Sequence, residues 1–491
     1  MPMIALSRSR KRPVLFATRA AGSLAGLALI AGPALARSAV ANTYVAYSTT
    51  ADGGEPSIGF DTARGSAVYG AGTANKRLTW NDSTTPATMS VEDAKATTSL
   101  TSLDAITITD QHTNRTFVSQ LAGACSLFSY SDDAGRSYTP GQGCGVGTVL
   151  DHQSVGGGPF HAGATLQAVT SYQDAVYYCA QDSFNGGCAT SVDGGSTFGP
   201  VVPAYNTPAN DTADPDPTTA AEGGACSALH GHLRTGQDGT VYLPIKGCGG
   251  QPTAGNLTNT EFFGGHPSVS VSSDNGASYA VHRVDAGQNS DESDPSVATG
   301  RGDKVPGGRV YLGWQDGTNP SESTYGTTSS ARIAMSGDHG RTFSTPVDVS
   351  TALGVHNVQF PEVISGDDDR AAFAWLGTTA VGDDQHNGFV GGDGLPAVWH
   401  LYVSTTYDGG ASWNTVNTPP PRTRSSAAAS IFRARPTRPS PTRTSAANAT
   451  CSTSTTSPWI GRVAPWSRSP TAVSTGASAT RLSSPPPNGA R

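Results

Sequence analysis

Ser131-Asp132-Asp133-Ala134-Gly135-Arg136-Ser137-Tyr138 returns four more times along the chain. The copies are SVDGGSTF from Ser191 to Phe198, SSDNGASY from Ser272 to Tyr279, SGDHGRTF from Ser336 to Phe343, and TYDGGASW from Thr406 to Trp413. Their shared pattern is Ser/Thr-x-Asp-x-Gly-x-Ser/Thr-aromatic, with aspartates at Asp133, Asp193, Asp274, Asp338 and Asp408. Successive copies start 60, 81, 64 and 70 residues apart, a spacing that marks a repeat architecture. The octet has the chemistry of a hairpin turn. The Asp carboxylate accepts backbone N–H bonds across the turn, the Gly supplies a positive φ, the hydroxyl adds a second local bond, and the aromatic tucks into the sheet.

Working outward, each octet follows a strand such as Leu127-Phe128-Ser129-Tyr130, Val269-Ser270-Val271, Arg332-Ile333-Ala334-Met335 or His400-Leu401-Tyr402-Val403. Before that comes a β-branched and aromatic strand, for example Ala175-Val176-Tyr177-Tyr178 or Arg309-Val310-Tyr311-Leu312. Earlier still lies a short strand: Leu103 to Ile108, His152 to Val155, His230 to Leu233, Asp294 to Ala298 and Phe360 to Ile364. A further unit without an octet begins at Glu55-Pro56-Ser57-Ile58-Gly59. Four short strands per unit make a propeller blade. The expected fold is therefore an all-β β-propeller over residues 42–419, six-bladed or, as the alternative, seven-bladed and incompletely closed.

Composition agrees. Of 491 residues, 59 are Gly and 33 Pro, and only 14% are charged, against roughly 25% in an average globular protein. Residues 1–36 hold five basic residues and no acid, 37–419 hold 16 basic and 38 acidic, and 420–491 hold ten Arg and no acid. The acidic body argues against nucleic acid as a partner. Residues 1–36 read as a signal peptide. Arg8, Arg10, Lys11, Arg12 and Arg19 form its basic end, Ala20 to Ala31 its apolar run, and Ala34-Leu35-Ala36 its cleavage pattern. That apolar run is short for a membrane span, so a secreted, extracellular product with no membrane partner is expected.

Cysteine usage fits export. Six cysteines pair by proximity: Cys125 with Cys144, Cys179 with Cys188, and Cys226 with Cys248. This is one of 15 possible connectivities, and no C-x-x-C metal spacing occurs. The last 72 residues differ from all that precedes them, 58 being Ser, Thr, Pro, Ala or Arg. They read as a disordered low-complexity tail or as an out-of-frame translation that replaces the closing strands. Cys451 has no designed partner.

The starts of the inner strands converge on the propeller axis and carry the polar groups: Glu55, Asp104, Asp151 with His152, His230 with His232, Asp291, Glu292 and Asp294, and Glu362. Glycosidic cleavage needs one carboxyl as acid on the leaving oxygen and another as nucleophile or base. Glu55, Asp151, Asp294 and Glu362 are the catalytic candidates. His152, His230, His232, Arg234 and Asp291 are the candidates for substrate binding. His230 and His232 share one strand face and, with His152 or His161, have the makings of a metal site. A third ligand is not identified, so no metal and no cofactor are expected. Asp211, Asp214 and Asp216 lack a calcium-loop pattern, and Arg301-Gly302-Asp303 is a chance-length match.

The octet matches the Asp-box, or BNR repeat, and from about 52 to 419 the chain resembles secreted bacterial proteins of the sialidase superfamily. The resemblance implies a propeller whose boxes are structural and whose hub is functional. It also implies an exo-α-sialidase-like activity resting on three arginines, a Tyr–Glu nucleophile and an Asp acid. The arginine set does not carry over. Glu55-Pro56-Ser57 stands where an Arg-Ile-Pro motif is usual, Arg136 and Arg341 lie inside boxes, and Arg115, Arg309 and Arg370 enter second strands. Only Arg234 follows an inner-strand start. Two readings result: a secreted exo-glycosidase acting on extracellular glycans, and a non-catalytic propeller that binds glycan or protein. Either is expected to be a monomer.

Overall fold

Short runs of Val, Ile, Thr and aromatic residues between Gly- and Asp-rich turns suit a pleated, half-buried surface, and they fold here as a succession of small sheets. The structure, a computed structural model, describes residues 43–49, 51, 56–71, 74–96, 105–121, 126–142, 151–181, 185–206, 226, 230–248, 266–284, 290, 293–317, 328–381, 397–418, 430–435 and 448–449. The expected signal peptide lies outside these residues.

Six four-stranded antiparallel sheets are the blades. Blade 1 runs through Ser57–Asp61, Ser66–Ala71, Ala74–Asn81 and Thr88–Asp93, and blade 2 through Ala105–Thr109, Thr116–Leu121, Ser126–Ser131 and Thr139–Pro140. Blade 3 uses Asp151–Pro159, Asp174–Gln181, Asn185–Ser191 and Val202–Asn206; blade 4 uses Arg234–Thr235, Val241–Cys248, His266–Ser272 and Ala280–Arg283. Blade 5 is Ser296–Thr299, Val310–Gly317, Ser329–Ser336 and Val347–Asp348, and blade 6 is Asn357–Ser365, Ala371–Thr378, His400–Thr406 and Asn414–Asn417. Each sheet is ordered as its strands occur in sequence, so the expected six-bladed propeller is the observed one.

A three-stranded sheet accompanies them. Thr43–Ser48 pairs antiparallel with Ser430–Arg435, which pairs with Asn448–Ala449. Tyr44 packs among Phe360, Ala372 and Leu401 of blade 6, while Tyr47 packs on the core of blade 1 and donates to the Ala87 carbonyl at 2.8 Å. This sheet therefore fills the wedge between blades 6 and 1. Two segments of the compositionally distinct stretch from 420 onward are strands in it; the rest of that stretch lies outside the described residues.

All five octets join third to fourth strands, and they superpose in their chemistry. In each, the first hydroxyl donates to the Asp carboxylate at 2.7–2.8 Å and accepts the Gly N–H at 2.8–2.9 Å. The seventh residue donates its N–H at 2.8–2.9 Å and its hydroxyl at 2.5–2.6 Å to the same carboxylate. The fifth residue, always Gly, has φ from 76° to 92°. The fourth residue also has positive φ, even where it is Ala134, Asn275 or His339, so the turn needs two left-handed residues.

The invariant Gly has a second cause. A Cβ on Gly195 would sit 2.8 Å from Phe128 of blade 2, on Gly276 3.3 Å from Tyr177 of blade 3, and on Gly410 2.5 Å from Met335 of blade 5. Each box thus presses on the blade before it. Its aromatic goes into that joint rather than into its own sheet: Phe198 meets Phe128 edge-on at 5.2 Å and Trp413 meets Tyr311 at 6.4 Å. At the hub, inner-strand serines reach the other way. Ser57 accepts the N–H of Thr107 at 2.8 Å, Ser154 that of Leu233 at 2.8 Å, and Ser296 that of Val363 at 3.0 Å.

Two disulfides staple blades 3 and 4, Cys179–Cys188 and Cys226–Cys248, as proximity pairing expects. Cys125 precedes the third strand of blade 2 and Cys144 follows its fourth, and both Cys125 and Cys144 lie outside the described residues.

Two outcomes follow. Gly163 and Gly195 both have positive φ, but a Cβ on Gly163 meets open space. Gly163→Ala should cost about 1–2 kcal/mol from backbone strain alone, and Gly195→Ala should cost about 1–3 kcal/mol more from overpacking, as read by urea unfolding. Burial alone would raise the Asp133 pKa, but bonds from Ser137, Ser131 and the Arg136 N–H outweigh it and hold it at about 2. A depressed folded pKa contributes stability above the unfolded value that is lost as pH falls through the folded one. Unfolding midpoints measured between pH 5 and 2 should fall, and more shallowly for Asp133→Asn.

Candidate functional site

The hub ends of the inner strands are irregular in blades 3 and 6. The register slips between Asp151 and Ser154 and between Gln359 and Glu362, and His152 (φ 57°) and Phe360 (φ 52°) take left-handed backbones. Such bulges re-aim side chains, and strained non-Gly residues gather where function requires them. Here they bring His152 to Asp294 and Glu362 to Arg234. In blade 4 the inner strand is reduced to Arg234–Thr235, and His230-Gly231-His232 precedes it, held by a bridge from His230 to Ile245. Gly231 is required by contact: a Cβ there would lie 1.9 Å from the Pro295 carbonyl oxygen of the neighbouring blade 5 approach.

Gly231, His232, Asp294, Pro295, Phe360, Pro361 and Glu362 line one small open depression, contributed by blades 4, 5 and 6. Behind it the charges are paired across blades. The Arg234 Nη2 donates to Glu362 Oε1 at 2.9 Å, and its Nη1 donates to the Leu233 carbonyl at 2.9 Å. The Ser296 hydroxyl donates to Glu362 Oε2 at 3.0 Å. His152 Nε2 lies 3.0 Å from Asp294 Oδ2, and the His152 ring meets the His230 ring edge-on at 5.5 Å.

His230 is fully buried. Its Nδ1 bonds the Gly231 carbonyl at 2.9 Å, and its Nε2 has no hydrogen-bond partner among the described residues. Burial first, then His152, pushes its pKa down to about 4. Burial and the Arg234 guanidinium push His232 down as well. Both rings are therefore neutral at neutral pH, able to donate or accept a hydrogen bond to a hydroxyl.

Of the sequence candidates, the structure brings together His152, His230, His232, Arg234, Asp294 and Glu362. Asp151 occupies the first position of the blade 3 inner strand, its side chain outside the described residues; Glu55, Asp104, Asp291 and Glu292 lie outside them altogether. His161, weighed as a third metal ligand, sits at the other end of the blade 3 inner strand, its N–H donating to Asn275 of a box at 2.7 Å. The box-side arginines are engaged where they stand: Arg115 with Asp132 and the Gly194 carbonyl, Arg309 with the Asp368 carbonyl, and Arg370 with Asp367. Reading the sequence missed Ser296 and the bulge at Phe360-Pro361. The signal was there in the x-Pro-x starts Asp294-Pro295-Ser296 and Phe360-Pro361-Glu362, which echo Glu55-Pro56-Ser57.

No protein-family model matches the chain, and no curated protein matches it. Among solved structures it is similar to YCF48 from Cyanidioschyzon merolae (9% identity, TM-score 0.41, covering 76% of this chain and 88% of that one). It is similar to an ancestral GH74 enzyme (13%, TM-score 0.42, covering 80% and 45%), so the chain spans less than half of that enzyme's length. It is also similar to a Hadza microbial sialidase (13%, TM-score 0.39, covering 65% and 62%). Likeness this distant says nothing of activity.

The Arg234–Glu362 pair makes a measurable demand. Glu362 is 7% exposed and Arg234 25%, and removing one partner of a buried pair strands the other. Arg234→Met should destabilise by about 3 kcal/mol, and by distinctly less in the Glu362→Gln background. A denaturant double-mutant cycle reads the difference.

Proposed function

We propose that the chain is a secreted glycoside hydrolase whose hub depression performs carboxylate chemistry on extracellular glycans. One observation carries the reading: Asp294 and Glu362, from different blades, line the same depression with His232. Glu362 accepts from a guanidinium and a hydroxyl at once, the setting of an ionised carboxylate, which suits the nucleophile or base. Asp294, against His152, takes the part of acid on the leaving oxygen. His232 and His152 hold sugar hydroxyls. The Cys179–Cys188 and Cys226–Cys248 disulfides and the export pattern of residues 1–36 support an oxidising, extracellular destination.

The second reading, a propeller that binds glycan without cleaving it, is favoured by the fact that both Glu362 oxygens are already bonded. A panel of aryl glycosides, sialosides included, separates the two. Turnover is expected, with Asp294→Asn and Glu362→Gln each losing at least about a hundredfold in kcat while keeping the far-UV spectrum of the parent. Saturable glycan binding without release of any aryl group would leave the binding reading; absence of both would reject the hub as a glycan site.

A further inference from the structure

The six blades between residues 43 and 419 hold 15 Lys and Arg, and their placement is uneven. Eight stand in the turns on the box side, five on or just beyond third and fourth strands, and Lys246 is wholly buried in the second strand of blade 4. Arg234 alone stands on an inner strand. Its guanidinium is already engaged, one nitrogen with Glu362 and another with the Leu233 carbonyl. Between residues 52 and 396 the stretches outside the described residues contain 16 Asp or Glu and no Lys or Arg. None of these stretches between residues 52 and 396 therefore carries a further guanidinium.

The space itself is faced by two carboxylates, Asp294 and Glu362, beside His232, with Phe360, Pro361 and Pro295 completing the wall. Burial together with Arg234 holds His232 in its neutral form at neutral pH, so it adds no positive charge. A carboxylated sugar entering here would meet the ionised Glu362 at short range in a partly desolvated place, where like charge opposes it. It would find no free fork of guanidinium donors to match its own carboxylate. An uncharged sugar would meet what it needs: two carboxyl groups, one imidazole and an apolar wall for a ring face.

We infer that the hub depression takes an uncharged glycosyl unit and turns away carboxylate-bearing sugars, because the one guanidinium that the described residues bring to it is committed to Glu362, whose charge faces the space. This selection rests on the glycan reading above and sets the chain apart from the sialoside preference its boxes imply. Arg234 is here a specificity device held in check by Glu362, so releasing it should change which sugars are accepted.

The test is ligand binding to the full chain by calorimetry or saturation-transfer NMR. One set of probes comprises neutral arabino-, xylo-, gluco- and galacto-oligosaccharides, and the other comprises sialyllactose and a galacturonate trimer. At least one neutral probe should bind about tenfold or more tighter than either acidic one. Glu362→Gln should raise affinity for sialyllactose about fivefold or more, since the freed guanidinium then meets its carboxylate. Glu362→Asp draws the carboxyl back from the guanidinium and should gain about threefold by loosening the pair; it keeps the question open to test if Glu362→Gln fails to fold. Wild-type preference for an acidic probe over every neutral one would overturn the inference while leaving the glycan reading standing. Failure of every sugar to bind would remove the glycan reading and this inference with it.

Discussion

The contact on which this molecule turns is the one between a box glycine and the aromatic or aliphatic face of the blade before it. A propeller blade is a twisted sheet with two apolar faces, and neither can be left wet. The box supplies a rigid corner at a fixed height on every blade from 2 to 6, and the lack of a Cβ lets that corner press onto its neighbour. The carboxylate at its centre gathers donors from both sides of the turn, so the corner keeps its shape without help from elsewhere. Inner-strand serines then tie the hub in the opposite direction. Rim and hub are thus laced in opposite senses around the ring.

That division explains where strain is tolerated. With the rim rigid, the inner strands of blades 3 and 6 can carry a bulge and a left-handed His152 or Phe360. The strand of blade 4 can shrink to two residues and give its place to two histidines. The site borrows order from corners on the opposite face of the molecule, so its own strands need not be regular.

Legibility in the sequence follows range. Each box is eight contiguous residues whose turn-closing bonds to the Asp carboxylate and the first hydroxyl lie within the octet, so pattern and turn chemistry reveal it, and five copies reveal the ring. The inner-strand starts could also be located, which is why His152, His230, His232, Arg234, Asp294 and Glu362 were recognised as a group. Their partnerships could not. Arg234 and Glu362 are 128 residues apart, Ser296 and Glu362 are 66 apart, and nothing local says that one would neutralise the other. The left-handed fourth residue of the box escaped notice for a different reason: Ala134, Asn275 and His339 share no side-chain chemistry, so the backbone requirement leaves no mark on composition. Gly231 is similar, its need arising from the Pro295 carbonyl of another blade.

The wedge built from Thr43–Ser48, Ser430–Arg435 and Asn448–Ala449 has a mechanical meaning. Neither blade 1 nor the wedge carries a box, so the joints on both sides of the wedge lack the corner that locks the five joints between blades. The ring resembles a bracelet with five soldered links and a clasp, and the clasp is fastened by hydrogen bonding between chain segments nearly four hundred residues apart in sequence. Tension applied at the two ends of the molecule would be borne first by that single pairing, so breathing, prying by chaperones and proteolytic entry should begin at the seam while the boxed arc is still whole.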